Sequence, residues 1–254
     1  MEERASARRI AVDIQSKPTN YKLKFFAIYV KIVSQKYFEE LEFMEHKKFI
    51  SKLHKGEYLD YLYSRPEAGK KLPLIFYIHG AGSRGNDLSL LEENTGLAEV
   101  IKHVGNKCII AAPQCHDRFW FDLFEVLCEF ADAMRNAEEV NIDRVYITGA
   151  SMGGYTTWQL CLSHPEWFAA AVPICGGGMY WAASNLKSMP ICAFHGARDR
   201  VVLCEETIKM VRAINNSGGN AKITVFPDAE HNAWTPALSS DEMWEWLFKQ
   251  KRTN

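Results

Sequence analysis

The stretch Arg144-Val145-Tyr146-Ile147-Thr148-Gly149-Ala150-Ser151-Met152-Gly153-Gly154-Tyr155 carries the strongest motif in the chain. Five residues of strand-like composition run into a Gly-x-Ser-x-Gly turn, and a helical pattern follows at once. A serine on such a strand-to-helix turn projects its hydroxyl above the end of the sheet, and the glycines two positions away on each side let neighbouring backbone come close. The helix that begins there aims its N-terminal N–H groups and positive dipole end at any negative charge that develops. Ser151 is therefore the candidate nucleophile. A glycine-rich turn holding an incidental serine is the bland alternative, and the strand and helix on the correct sides argue against it.

Working outward, short runs rich in Val, Ile, Phe and Ala at 72–78, 108–112, 144–148, 169–174, 190–194 and 221–226 alternate with longer amphipathic stretches at 88–104, 121–139, 151–163, 205–215 and 237–249. Apolar runs without alternation mark strands buried on both faces, and helices between them are the crossovers of a parallel sheet. Leu59, Tyr61 and Tyr63 recur at period two, so 57–63 reads as a half-exposed strand, with 49–53 its antiparallel neighbour at the edge. The expected fold is α/β, a mostly parallel, doubly wound sheet with flanking helices. Its chemistry is expected at the carboxyl ends of the strands.

A serine nucleophile needs a base. In this architecture the triad follows the order Ser, acid, His, each in a loop after a strand. Of the eight histidines, His231 lies in the loop after the last strand and is the candidate base. His195 also follows a strand, but in the segment where the acid belongs, so a structural or hydrogen-bonding role is expected of it. That segment, His195-Gly196-Ala197-Arg198-Asp199, supplies Asp199 as the acid that would orient the imidazole, with Asp228 the runner-up. An oxyanion hole needs two backbone N–H donors, one from the residue after the nucleophile and one from the loop after the strand at 72–78. The loop sequence His79-Gly80-Ala81-Gly82-Ser83-Arg84-Gly85 makes these Ala81 and Met152. Gly85 is followed by Asn86-Asp87 rather than the Lys-Ser/Thr of a phosphate-binding loop, and a nucleotide site is the weaker alternative for this glycine-rich turn.

These motifs resemble the α/β-hydrolase superfamily, in particular its serine esterases of the dienelactone-hydrolase and polyhydroxybutyrate-depolymerase-like type. The resemblance spans about residues 56–250 and rests on HGAGSRG at 79–85, APQC at 112–115 with Trp120 after it, GASMGG at 149–154, PICGGG at 173–178, HGARDRVV at 195–202 and HNAW at 231–234. It implies the triad Ser151, Asp199 and His231, the oxyanion amides of Ala81 and Met152, and substrate contacts from Gln114, Trp120 and Trp234. It implies no metal and no cofactor. Dienelactone hydrolases proper carry a cysteine nucleophile; a serine in the elbow points to ordinary ester chemistry.

The remaining expectations bound the function. The chain of 254 residues is 47% hydrophobic and 24% charged, a balance that rules out disorder and permits one large domain. A net charge of −1 offers no field to gather nucleic acid. Seven cysteines, an odd number without zinc-like spacing, suit a reduced, cytoplasmic protein. No apolar run near the N-terminus reaches membrane-spanning length. Residues 1–45 stand apart from the catalytic domain at 46–254: Phe26, Tyr29, Val33, Tyr37, Leu41 and Met44 recur at helical spacing, predicting an amphipathic helix over 25–45. Its apolar stripe would pack on the domain, form a homodimer contact, cover the site or touch a membrane surface. Fifteen residues between the expected strands at 169–174 and 190–194 are too few for an inserted cap, so an open site for short-chain acyl esters is expected, among them acylated or feruloylated sugars. A serine peptidase of the same fold and a non-catalytic hydrolase-fold binding module are the alternatives.

Overall fold

The computed structural model describes residues 44–66 and 71–252. Among these, eight strands form one sheet in the order β1-β2-β4-β3-β5-β6-β7-β8. They are β1 (Glu45–Ile50), β2 (Tyr58–Ser64), β3 (Leu72–Ile78), β4 (Ile109–Pro113), β5 (Val140–Ala150), β6 (Ala170–Ile174), β7 (Cys192–Gly196) and β8 (Lys222–Phe226). The β1–β2 and β2–β4 pairings are antiparallel and those from β4 through β8 are parallel. The helices are α1 (Ser89–Glu92), α2 (Thr95–Val104), α3 (Phe124–Arg135), α4 (Met152–Ser163), α5 (Cys204–Asn216), α6 (Trp234–Leu238) and α7 (Asp241–Lys249). This is the expected mostly parallel α/β architecture.

Side-chain alternation along the strands builds a core on each face of the sheet. Leu74, Phe76 and Ile78 of β3 join Val145 and Ile147 of β5 in one layer with Trp158 and Phe130. Ile75 and Tyr77 of β3 join Tyr146 and Ala150 of β5 in the other, with Val100 and Trp244. Both faces are covered, so β3 and β5 read as continuous apolar runs, and each large side chain so buried contributes roughly 1.5–3 kcal/mol. From β3 the chain steps to β4 on one side and then crosses to β5 on the other. The loops after β3 and β5 therefore flank a crevice at the carboxyl ends, the usual place for a ligand in such sheets.

Several boundaries differ from expectation for identifiable reasons. The edge strand expected at 49–53 is β1, Glu45–Ile50, paired over its whole length with β2. The helix expected at 88–104 is broken into α1 and α2 at Asn94, whose side chain caps α2 by accepting from Leu97 N (3.0 Å). The helix expected at 237–249 is likewise divided, because Ser240 caps α7 through Met243 N (3.2 Å). The stretch at 121–139 is helical only over α3; Phe119 N bonds Asp122 Oδ2, fixing a turn before it. The expected N-terminal helix lies outside the described residues except at its end, where Met44 is buried and Glu45 opens β1. Among the described residues no helix is long and apolar enough to cross a membrane.

Candidate active site

Ser151 sits at the junction of β5 and α4 with φ 57° and ψ −119°, a left-handed conformation unusual for a residue with a side chain. Close packing holds it there. Ser151 N donates to Ile174 O at the end of β6 (3.0 Å). A Cβ on Gly149 or on Gly153 would fall less than 3.0 Å from Ile78 O, the last carbonyl of β3. Only glycine at both positions lets β3 lie against the turn, which is why the motif needs them.

The remainder of the triad converges on this serine from 48 and 80 residues away in sequence. His231 Nε2 lies 2.9 Å from Ser151 Oγ, and His231 Nδ1 lies 2.7 Å from Asp199 Oδ2. The other Asp199 oxygen, Oδ1, accepts from Val201 N (2.8 Å) and Val202 N (2.9 Å). These bonds orient the carboxylate, which in turn requires the His231 proton on Nδ1 and leaves Nε2 free to accept from the serine. Burial acts to raise the Asp199 pKa; the bond from His231, the Val202 and Val201 amides and the His231 charge outweigh it and hold the carboxyl below its usual range. The runner-up, Asp228, is instead an exposed partner of Arg198 (2.7 Å). Trp234 is partly buried behind the base: its ring meets that of His231 edge-on at 5.6 Å, and its Nε1 donates to Thr95 Oγ1 (3.2 Å).

The loop after β3 is a short 3₁₀ turn, Ala81–Ser83, that runs beside the elbow: a Cβ on Gly80 would be 3.2 Å from Ala150 O and 3.6 Å from Ser151 Cβ. Ala81 and Met152 are first residues of their turns, so neither amide has a partner within its helix, and both belong to the loops that flank Ser151. Sequence reasoning left the neighbouring His79 without a role. Cys115 N donates to His79 Nε2 (2.9 Å), so the ring proton is on Nδ1, from which it is given to Gly80 O (2.6 Å). Burial, reinforced by Arg84, lowers the His79 pKa to about 4 against the opposing pull of the Gly80 carbonyl. The ring is thus a neutral brace between β4 and the turn carrying Ala81.

Two expected substrate contacts belong to the same brace. Trp120 is fully buried and donates through Nε1 to His79 O (3.0 Å). Gln114 is 1% exposed, and its Nε2 donates to Asp87 O (2.7 Å) and Ser83 O (3.2 Å). Both side chains are buried rather than lining a surface, so both are corrected to supports of the loop that carries Ala81. Asn94 completes the support, accepting from Tyr77 Oη (2.6 Å) and donating to Ser83 Oγ (2.8 Å). A His directly before a Gly-rich loop was the available sequence signal.

Among the described residues, the one grouping of His, Cys, Asp and Glu tight enough for a shared metal ion is Cys175, Asp199 and His231, with ligand atoms within 4.8 Å of one another. Burial pushes the Cys175 thiol up to about 12, so it stays protonated, and the other two residues already bond each other. That donor set suits a triad better than a metal cage. Two surface hollows, one lined by Met189, Ile191 and Lys222 and one by Pro165, Asn185 and Arg252, contain no triad residue. Ser151, Met152 and His231 are instead partly exposed on the surface.

Comparison with known proteins agrees with this fold. A thermostable esterase of known structure superposes with a TM-score of 0.70 at 29% identity, over 84% of this chain and 64% of its own. An acylaminoacyl peptidase from Pyrococcus horikoshii gives a TM-score of 0.63 at 16% identity over 83% of this chain and 42% of its own, a likeness of fold. Poly(3-hydroxyalkanoate) depolymerase C of Paucimonas lemoignei is 34% identical over 68 residues, 27% of this chain and 16% of that protein. The chain thus spans less than two thirds of the esterase and a small part of the depolymerase. The model of the dienelactone hydrolase family matches residues 114–241, a segment that carries the elbow and all three triad residues, and the chain belongs to that family.

Proposed function

We propose that this protein is a serine carboxylester hydrolase that works through an acyl-enzyme on short-chain acyl esters. The observation that carries this reading is the continuous relay Ser151–His231–Asp199 at 2.9 and 2.7 Å beside the amides of Ala81 and Met152. As Ser151 Oγ attacks the ester carbonyl carbon, its proton passes to His231 Nε2. The carbonyl oxygen becomes an oxyanion that accepts from the two amides. The tetrahedral species collapses, the C–O bond to the alcohol breaks, and His231 gives its proton to the departing oxygen. Water then attacks the acyl-serine with the same base, releasing the acid and restoring the serine.

The connection between β6 and β7 supports the size preference. Its regular structure is a seven-residue 3₁₀ helix, Tyr180–Leu186, rather than an inserted domain, and Tyr180 and Trp181 on it are 50% and 71% exposed. Among the described residues this connection supplies no inserted cap that could enclose a long acyl chain. Exposed aromatic rings favour a flat or bulky alcohol portion, such as an acylated or feruloylated sugar. Hydrolysis of p-nitrophenyl acetate, butyrate, octanoate and palmitate tests this, with a chromogenic peptide alongside. Rates are expected to fall with chain length; comparable rates on butyrate and palmitate contradict the preference, and faster cleavage of the peptide supports the peptidase alternative.

A further inference from the structure

One buried titratable residue takes no part in the relay. His195, at the carboxyl end of β7, has no exposed surface, and both its ring nitrogens are engaged. Nδ1 lies 2.7 Å from Thr207 Oγ1, on α5. Nε2 lies 2.9 Å from Val202 O and 3.2 Å from Asp199 Oδ2, the oxygen that also receives His231 Nδ1. The proton positions follow from these partners. Val202 O and the carboxylate can only accept, so Nε2 donates. Thr207 Oγ1 lies 2.6 Å from Gly176 O, which also can only accept, so the hydroxyl proton points there and the threonine oxygen must accept from Nδ1. With either nitrogen bare, two lone pairs would face each other at hydrogen-bond distance in a water-free site, leaving a buried acceptor unsatisfied.

We infer that His195 is an imidazolium that serves as a positioning residue for Asp199, sharing the acid's Oδ2 with the catalytic base. The inference rests on the triad reading proposed above. It gives the site a second cation, set so that its charge offsets part of the carboxylate field at His231. The two rings bond one oxygen at 2.7 and 3.2 Å, so their facing nitrogens are no more than about 6 Å apart. Among the described residues, the titratable groups that feel the Asp199 charge include Cys175 after β6, Tyr155 on α4 and Cys204 at the start of α5. Burial raises each of them, so all three remain neutral near pH 7; the Glu206–Lys209 pair that faces Tyr155 is mutually compensated. His195 is then the group whose charge tunes the base: it keeps His231 unprotonated, and able to accept the serine proton, at lower pH than Asp199 alone would allow.

The protonation itself is read by nitrogen-15 spectroscopy of full-length protein labelled at histidine, with the His195 signals assigned by their loss in His195→Gln. Two ring nitrogens each coupled to a proton near neutral pH are expected; one bare nitrogen overturns the inference, whatever the enzyme hydrolyses. The tuning is read in the pH profile of kcat/KM for p-nitrophenyl acetate. In His195→Gln the acid limb is expected to move upward by about two pH units, the effect of deleting a unit charge ~6 Å away at an effective dielectric near 20. Thr207→Val, which removes only the acceptor of Nδ1, is expected to move the limb in the same direction by less. If either folded variant loses rate with its acid limb unmoved, His195 is structural packing and its charge has no role. If no ester is hydrolysed by the wild type while the spectrum shows two bound protons, the activity reading fails and the charge assignment stands.

Discussion

Asp199→Asn is the perturbation that separates geometry from chemistry most cleanly. In the wild type one carboxylate oxygen is committed to Val201 N and Val202 N at 2.8 and 2.9 Å, so an asparagine at this position keeps its carbonyl oxygen there and turns its amide nitrogen toward His231. A donor then faces Nδ1. The imidazole answers by moving its proton to Nε2, where it points at Ser151 Oγ and can no longer accept from it. The two amide bonds of the loop survive and His195 Nε2 keeps Val202 O as its acceptor, yet the base is in the wrong tautomer. Loss of kcat by about 10³–10⁴-fold follows, equivalent to about 4–5 kcal/mol of transition-state stabilisation. The assay is steady-state hydrolysis of p-nitrophenyl acetate, with near-ultraviolet circular dichroism as the control on folding. A folded variant that retains a tenth or more of wild-type kcat refutes the assignment of Asp199 as the orienting acid.

Further outcomes follow from the same distances. Gly153→Ala places a Cβ less than 3.0 Å from backbone atoms of Ile78 and His79 that cannot yield, so a loss of about 2 kcal/mol or more in urea unfolding is expected; an unchanged midpoint would show that β3 does not abut the elbow. His79 has a folded-state pKa of about 4 against ~6.5 when unfolded, so the unfolded chain binds the proton first as pH falls; stability is lost between those values, by about 3 kcal/mol in all, and is flat in this respect above them. Comparing the pH dependence of unfolding with that of His79→Gln checks this, and identical slopes would contradict it. Asp199 behaves oppositely. Its depressed carboxyl pKa contributes stability that is fully present above about pH 4 and disappears as pH falls through the lower folded value, so the stability difference between wild type and Asp199→Asn is expected to shrink only below that point.

The sequence made the central sheet and the triad legible for a physical reason. Strands such as β3 and β5 are covered on both faces, so they carry unbroken apolar runs, and the steric demands of the elbow leave glycine at 149 and 153. Chain order then selected Asp199 over Asp228 and His231 over seven other histidines. What stayed hidden depends on partners distant in sequence. Asn94 ends one helix and caps the next because Tyr77 and Ser83 also require its side chain, which no local pattern announces. Trp120 lies between two exposed phenylalanines, Phe119 and Phe121, and looks like part of a binding surface. Its indole instead turns inward to a carbonyl 41 residues earlier. His79 and Gln114 were obscured in the same way, since both bond to backbone of the loop that carries Ala81 or of the segments beside it.

Activation of Ser151 by His231 makes the serine reactive toward a fluorophosphonate, so covalent labelling reads it out. One adduct per chain is expected, located by peptide mass spectrometry on Ser151, absent from Ser151→Ala and formed far more slowly in His231→Ala. Folded wild-type protein that takes up no label, or labelling that persists undiminished in Ser151→Ala, would contradict it.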